Sequence, residues 1–414
     1  MLGKASGRLI ATEGDHSVIV FGPTGSGKTT ALVVPALLEH PGPAVALSVK
    51  TDLLRDTLQH RARNERPVYI YDPLNLTDHQ CAAWTPLRTC HDWAEAQRMA
   101  EALASAMVDG SVNDSRFWNA MASKMLEALL HAAALDKRTM RDVVRWVDTR
   151  EQVEVAQILE KHNAHHALQS WGSSLTRDER TLSGVYASTE VLLRAYSTPG
   201  MTDSLAANCF DPSKMIAAGG TLYVCAPTED QARLRPIFAA LVKDVYRAAV
   251  LHAERTGRLN PSLLMVLDEA ANIAPVHDLA EIASTCRAYG VQLVTVFQDL
   301  AQVQARYGPK ARTLVNNHTA KLLLPGASDR ELLDLVTRLL GDEGVDQVTR
   351  SHSVQGTSRS HSTRYRPLAA MHQLRQLKQG TALLLYGNLP PTQLTLRPFY
   401  KDPKLRRLAH KDQP

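Results

Sequence analysis

The chain has 414 residues, 44% of them hydrophobic, which provides core for one large or two moderate domains and excludes a disordered or fibrous chain. Lys and Arg number 47 against 42 Asp and Glu, a net charge of +5 that permits a polyanionic partner without requiring one. The five cysteines, Cys81, Cys90, Cys209, Cys225 and Cys286, show no C-x-x-C spacing, which argues against a disulfide framework or a zinc cluster and for a reducing cytosolic setting. No apolar run reaches the roughly 20 residues that span a bilayer, and no signal-peptide core opens the chain, so it is expected to be soluble as given.

The first predicted strand, 16–21, ends in VIVF and runs directly into GPTGSGKTT at 22–30, after which ALVV starts a helical pattern to residue 38. Gly22, Gly27, Lys28 and Thr29 satisfy G-x-x-x-x-G-K-[ST], and strand before with helix after is the setting that motif needs. Gly22, Pro23, Thr24, Gly25, Ser26, Gly27, Lys28, Thr29 and Thr30 are therefore expected to cradle the phosphates of a nucleoside triphosphate. Glycines let amide N–H groups turn inward, the helix N-terminus adds a favourable dipole, Lys28 neutralises the β and γ phosphates, and Thr29 offers a hydroxyl to Mg²⁺.

A strand at 44–48, a helix over 52–63 and a strand at 68–71 complete a β-α-β-α-β pattern, the mark of a parallel sheet covered by helices. After Pro86 the period changes. Trp93, Ala96, Ala100, Leu103 and Met107 recur at helical spacing, as do Phe117, Met121, Met125 and Leu129, and no strand is predicted before about Thr221. Residues 85–205 thus read as an all-helical insertion between a first nucleotide-binding segment, 1–84, and a second, 206–402, with 403–414 as a C-terminal tail.

The sheet pattern resumes at 221–226, followed by a helix over 235–253. The apolar run LLMVL at 263–267 ends in Asp268 and Glu269, as a strand buried on both faces would deliver two carboxylates to the carboxyl edge of a parallel sheet. Asp268 is expected to hold Mg²⁺, and Glu269 to orient and polarise an attacking water, which turns nucleotide binding into hydrolysis. A helix over 279–289 precedes a buried strand at 291–297 that is followed by Gln298. Further strands are predicted at 320–324 and 382–386, with a helix over 329–340. The stretch 348–366 contains Arg350, Arg359, Arg364 and Arg366 with no acidic residue, and reads as a mobile basic loop that either meets phosphates or stays solvated.

Taken together, GPTGSGKTT, the SVKTDL segment at 48–53, the helical stretch beginning near WTPL at 84–87, LLMVLDEA, CRAYGVQLVTVFQD and the late QGTALLLYGNLPP resemble the TraG/TraD-type coupling proteins of conjugative type IV secretion, over nearly the whole chain. That family is related to the FtsK and HerA hexameric motors. The resemblance implies an α/β, RecA-like P-loop NTPase with a central, mostly parallel twisted sheet flanked by helices and carrying an inserted all-α domain. It implies ATP and Mg²⁺ as cofactors, a homo-hexamer, and ATP hydrolysis coupled to delivery of single-stranded DNA with its relaxase, or of protein cargo, to a type IV secretion channel. It also implies a cytoplasmic position at the inner face of the plasma membrane. By the same resemblance Arg287 matches an arginine that reaches the γ phosphate of a neighbouring subunit, Gln298 matches a polar sensor, and Lys50 and Asp52 match a family position. Members usually begin with two membrane-spanning helices, whereas this chain starts almost at the P-loop, so membrane contact is expected only through a missing segment or a partner. The competing reading is a cargo receptor that uses ATP binding as an assembly switch and moves only protein. A small-molecule kinase fits poorly with the helical insertion and with Glu269.

Overall fold

The computed structural model describes residues 2–107, 113–197, 210–225, 228–273, 276–353 and 356–410. Its strands in chain order are β1 (Gly3–Ala5), β2 (Arg8–Ile10), β3 (Val18–Phe21), β4 (Ala44–Ser48), β5 (Val68–Tyr71), β6 (Thr221–Cys225), β7 (Leu263–Asp268), β8 (Val291–Phe297), β9 (Ala320–Leu323), β10 (Asp342–Ser353), β11 (Gly356–Pro367), β12 (Thr381–Tyr386) and β13 (Thr392–Thr395). Eleven of them form one sheet in the order β2-β1-β13-β12-β9-β3-β8-β7-β4-β6-β5. From β9 to β5 all neighbours run parallel, while β12, β13, β1 and β2 continue the β9 edge antiparallel.

The central strands are buried along their whole length because helices cover both faces, which is why they read in the sequence as unbroken apolar runs. Side chains alternate between the two faces. Val18 and Val20 join a core shared with Leu37, Leu38, Leu53 and Leu54 of the early helices, whereas Ile19 and Phe21 join the opposite one. That second core is continuous with the long helical stretch between β5 and β6, where the helices Trp93–Ser105, Asn113–Leu135, Met140–Asp148, Val153–Lys161, His165–Leu175 and Glu179–Leu193 bury Leu103, Leu129, Trp146 and Trp171. Trp84 and Arg88 anchor this layer on the helix Gln231–Thr256 by donating to the buried Asp244 carboxylate at 2.9 and 2.8 Å. Among the described residues no helix is long and apolar enough to cross a membrane.

Three expectations change. The basic loop is instead the hairpin β10-β11, in register from Asp342 opposite Pro367 to Ser353 opposite Gly356, with Val354 and Gln355 outside the described residues. Ladder hydrogen bonds and cross-strand pairs such as Arg366 to Glu343 (2.8 Å) and Thr363 to Asp346 (3.1 Å) organise it, and neither leaves an apolar period to read. Residues 403–414 are not simply a tail: Pro403–His410 is a helix that packs on the helix Asp52–Arg61 and buries Leu405 and Ala409. The almost fully buried Arg397 pins its start, bonding Asp402 at 2.9 Å and Glu39 at 3.2 Å. Finally β1, β2 and β13 were not anticipated, because GKA, RLI and TQLT are short, partly exposed strands without the apolar run that marks the equally short β3.

Two buried histidines predict a pH dependence of stability. His318 lies between the Thr295 hydroxyl (2.9 Å) and the Leu314 carbonyl (2.8 Å), and burial lowers its pKa to about 4. His40, 2.7 Å from the Ser262 carbonyl, is likewise pushed down to about 4 by burial. With an unfolded value near 6.5, their stabilisation is complete above pH 6.5 and is lost as the pH falls toward 4. At pH 5 the loss is about 2 kcal/mol for each histidine. Denaturant unfolding of wild type and His318→Gln at pH 7 and pH 5 checks this: the variant should lose clearly less stability on acidification.

Candidate functional site

The P-loop connects β3 to a helix that begins at Thr29 with one π-type turn and continues as the α-helix Val34–Glu39. Its curvature needs glycine. Gly25 and Gly27 have φ of +82° and +90°, a region that side chains avoid. At Gly22 a Cβ would stand 2.7 Å from Ser26 Oγ and 2.8 Å from Leu324 Cβ, so the loop's first turn closes only without one. Lys28 is buried and donates through Nζ to the Gly22 carbonyl (2.6 Å) and the Pro23 carbonyl (2.9 Å), tying the loop to its own base. Burial lowers the Lys28 pKa, against the opposing pull of Asp268 and Glu269.

In the sheet, β8 stands between β3 and β7, so the loop and the acidic pair end on strands two apart and face each other across the carboxyl edge. They close a cleft of about 350 Å³. Thr24, Gly25, Gly27, Lys28, Thr29 and Thr30 line it from the loop, Ser48, Val49, Lys50 and Asp52 from the end of β4, and Asp268 and Glu269 from the end of β7. Thr29 Oγ1 donates to Asp268 Oδ2 at 3.0 Å. A hydroxyl and a carboxylate at that separation are hard oxygen donors of the kind Mg²⁺ takes. The Asp268 pKa is raised to about 6, first by burial and also by Glu269 and Asp52, with the Thr29 hydrogen bond and Lys28 opposing. The carboxylate therefore holds its charge at pH 7, and a cation in the cleft would relieve the crowding of three acidic groups. Glu269 has φ of +58°, a left-handed conformation costing a non-glycine residue about 1 kcal/mol, which turns its side chain out of the strand direction and into the cleft lining.

Not every predicted residue meets there. Gly22, Pro23 and Ser26 hold the loop rather than line the cleft: the first two supply carbonyls to Lys28, and Ser26 bonds back through its amide to the Pro23 carbonyl at 3.2 Å. Gln298 follows β8, half-buried, with its amide bonded to Gln302 Oε1 at 3.0 Å, and stands beside the cleft rather than in its lining. Arg287 is at the opposite edge. Its turn, Cys286–Tyr289, precedes β8, and the seven residues of that strand separate it from its own cleft by roughly 20 Å. There it bonds Asp15 Oδ2 through Nε at 3.2 Å. Asp15 had no part in the reading of the sequence, because 272 positions separate the pair and nothing local marks it.

The fold and the cleft define the RecA-like P-loop class: a largely parallel sheet with phosphate loop and acidic strand end converging on one edge. The chain belongs to the type IV secretory system conjugative DNA transfer family, whose description matches residues 2–413. The resemblance to TraG/TraD-type coupling proteins is thereby borne out. The chain is 23% identical over 401 residues to the conjugal transfer protein TraG of Agrobacterium fabrum (strain C58 / ATCC 33970), covering 91% of this chain and 59% of that protein. It is 21% identical over 413 residues to protein VirD4 of the same organism, covering 96% and 60%. It thus spans about three fifths of the length of the curated relatives it matches. Among solved structures, the unbound bacterial conjugative coupling protein TrwBdeltaN70 superposes with a TM-score of 0.76 at 20% identity, over 96% of this chain and 88% of that one. Plasmid coupling protein TrwB in complex with ADP and Mg²⁺ gives 0.73 at 20% identity, over 96% and 89%. These likenesses establish the fold.

Proposed function

We propose that this chain hydrolyses ATP and uses the cycle to deliver single-stranded DNA with its relaxase, or protein cargo, to a type IV secretion channel, as a homo-hexamer at the inner face of the plasma membrane reached through a partner or a further segment. The observation that carries the reading is the 3.0 Å contact of Thr29 with Asp268 in the cleft that Lys28 and Glu269 also line, on a chain of this family. Loop amides from Thr24 to Thr30 and Lys28 bind and orient the phosphates. Thr29 and Asp268 hold Mg²⁺, which when bound supplies charge neutralisation across the phosphates. Glu269 orients a water and accepts its proton, Gln298 senses the γ phosphate from the end of β8, and Arg287 serves the cleft of a neighbouring copy. Residues 1–84 and 206–402 form the motor in this reading, and 85–205 face the cargo. TrwB has been solved with the non-hydrolysable ATP analogue ADPNP, which supports ATP as the nucleotide.

The test is ATP turnover with and without single-stranded DNA across a range of protein concentrations. Turnover per subunit should rise with concentration and with DNA. Turnover indifferent to DNA, with cargo protein still bound, would favour the cargo-receptor reading instead.

The hairpin β10-β11 is the proposed DNA contact outside the motor core. On β11 the exposed Arg364 and Arg366 flank Tyr365, itself 73% exposed, so the strand sets cationic groups beside an aromatic face. Neutralising Arg350, Arg359, Arg364 and Arg366 together should weaken DNA binding and lower the slope of log affinity against log salt by about 0.7 for each phosphate that no arginine then neutralises. Binding titrations at several salt concentrations measure this, and an unchanged slope would assign the hairpin to solvent.

A further inference from the structure

Three neighbouring strands, β3, β8 and β7, each present one charged residue at the amino edge of the sheet: Asp15 before β3, Arg287 before β8 and Arg258 before β7. Asp15 is 4% exposed and sits between the two guanidinium groups, bonding Arg287 through Nε at 3.2 Å and pairing closely with Arg258. Arg287 itself is 61% exposed along its side chain. Its only other described ion-pair contact is the exposed Glu13, at 3.8 Å.

Both ends of the Asp15 to Arg287 contact rest on braced backbone. Gln292 of β8 donates to Thr12 Oγ1 (2.8 Å) and to the carbonyl of His16 (3.3 Å), and the Tyr386 hydroxyl accepts from the Glu13 amide (3.1 Å) and lies 2.6 Å from His16 Nδ1. On the other side the turn after Arg287 closes on Gly290, with φ of +73°, where a Cβ would stand 2.5 Å from the Leu259 carbonyl oxygen. The Leu259 amide bonds the Tyr289 carbonyl at 3.2 Å, and the Leu263 amide bonds that of Gly290 at 2.9 Å.

We infer that Asp15 is the positioning residue of Arg287, engaging its Nε and leaving the two terminal nitrogens, of which Nη2 has only the exposed Glu13 at 3.8 Å, for a phosphate held in the cleft of a second copy. This rests on the trans role proposed for Arg287. A guanidinium offers five N–H donors in a rigid fork, and a carboxylate on Nε leaves the two-nitrogen end free for bidentate contact with a phosphate. A long side chain at an exposed edge otherwise disperses over many rotamers, and fixing it only at the moment of reaction costs side-chain entropy. The Arg258 charge offsets that of Asp15, so Arg287 keeps its positive field at the edge.

The test is turnover of the full chain at saturating ATP and at a concentration where it is assembled. Asp15→Ala should lower kcat by between about tenfold and a hundredfold with KM for ATP unchanged within about twofold, the scale expected for a misplaced reacting group. Asp15→Asn, which keeps an acceptor and the shape, should recover part of the loss and stands in if the alanine variant does not fold. Asp15→Ala combined with Arg287→Ala should be no slower than Arg287→Ala alone. Mixing Asp15→Ala chains with Lys28→Ala chains should restore turnover, because each Asp15→Ala cleft can then receive an intact Arg287 edge. Losses that multiply in the double variant, wild-type kcat in both Asp15 variants, or no rescue on mixing overturn the inference. Wild-type turnover in Arg287→Ala overturns the trans role first and this inference with it, which separates the two failures.

Discussion

Replacing Lys28 with alanine is expected to abolish ATP turnover and to weaken nucleotide binding by roughly ten- to a hundredfold. The lower figure follows from one charge-assisted hydrogen bond to a phosphate, worth ~1.5–3 kcal/mol. The upper one adds disorder of the loop, since the Gly22 and Pro23 carbonyls lose the ammonium that gathers them at 2.6 and 2.9 Å. Turnover falls further than binding because charge on the transferring phosphoryl group must be neutralised in place and no other loop cation lines the cleft among the described residues. Lys50, the other lysine in the lining, comes from the β4 side and is exposed. Nucleotide binding by equilibrium titration and phosphate release by a coupled assay measure the two effects separately. Near-normal turnover in this variant would overturn the P-loop assignment.

Glu269→Gln separates binding from chemistry. The amide keeps the shape of the carboxylate and loses its capacity to accept a proton from water, so turnover should fall by at least about a hundredfold while ATP still binds. Binding should hold for a second reason: Glu269 raises the Asp268 pKa, and its neutralisation lets Asp268 ionise more readily and take Mg²⁺ at lower pH. Wild-type and variant binding compared at pH 6 and pH 7.5 checks this, with the variant expected to depend less on pH. Loss of ATP binding in Glu269→Gln would make the residue structural, a role its left-handed backbone at φ +58° already places under strain.

The resemblance to coupling proteins was legible because it rests on contiguous segments: a loop that must be glycine-rich to turn around phosphates, and a strand that must be apolar to be buried on both faces before it ends in two carboxylates. The central strands were legible for the same reason. The hairpin β10-β11 was not, since its strands are polar on both sides and carry no period of two in hydrophobicity. The docked helix Pro403–His410 was missed because its apolar residues are few and its anchor is Arg397 bonded to Glu39, 358 positions away.

What the sequence by itself determined is which residue types reach the cleft: the glycines, Lys28 and Thr29 of GPTGSGKTT and the two carboxylates that end LLMVLDEA, set by residue type and short spacing, on which the proposed phosphate, metal and water roles rest. What only the tertiary structure decided is where that chemistry can be completed. The strand order brings Asp268 within a hydrogen bond of Thr29 across 239 positions and adds Asp52, at the start of the helix after β4, to the same electrostatic field. It also sends Arg287 to the far edge, roughly 20 Å from its own cleft, and gives it Asp15 as a support. Local patterns encode local backbone and side-chain chemistry, whereas contacts between distant segments depend on strand order and register, which no short window of residues contains.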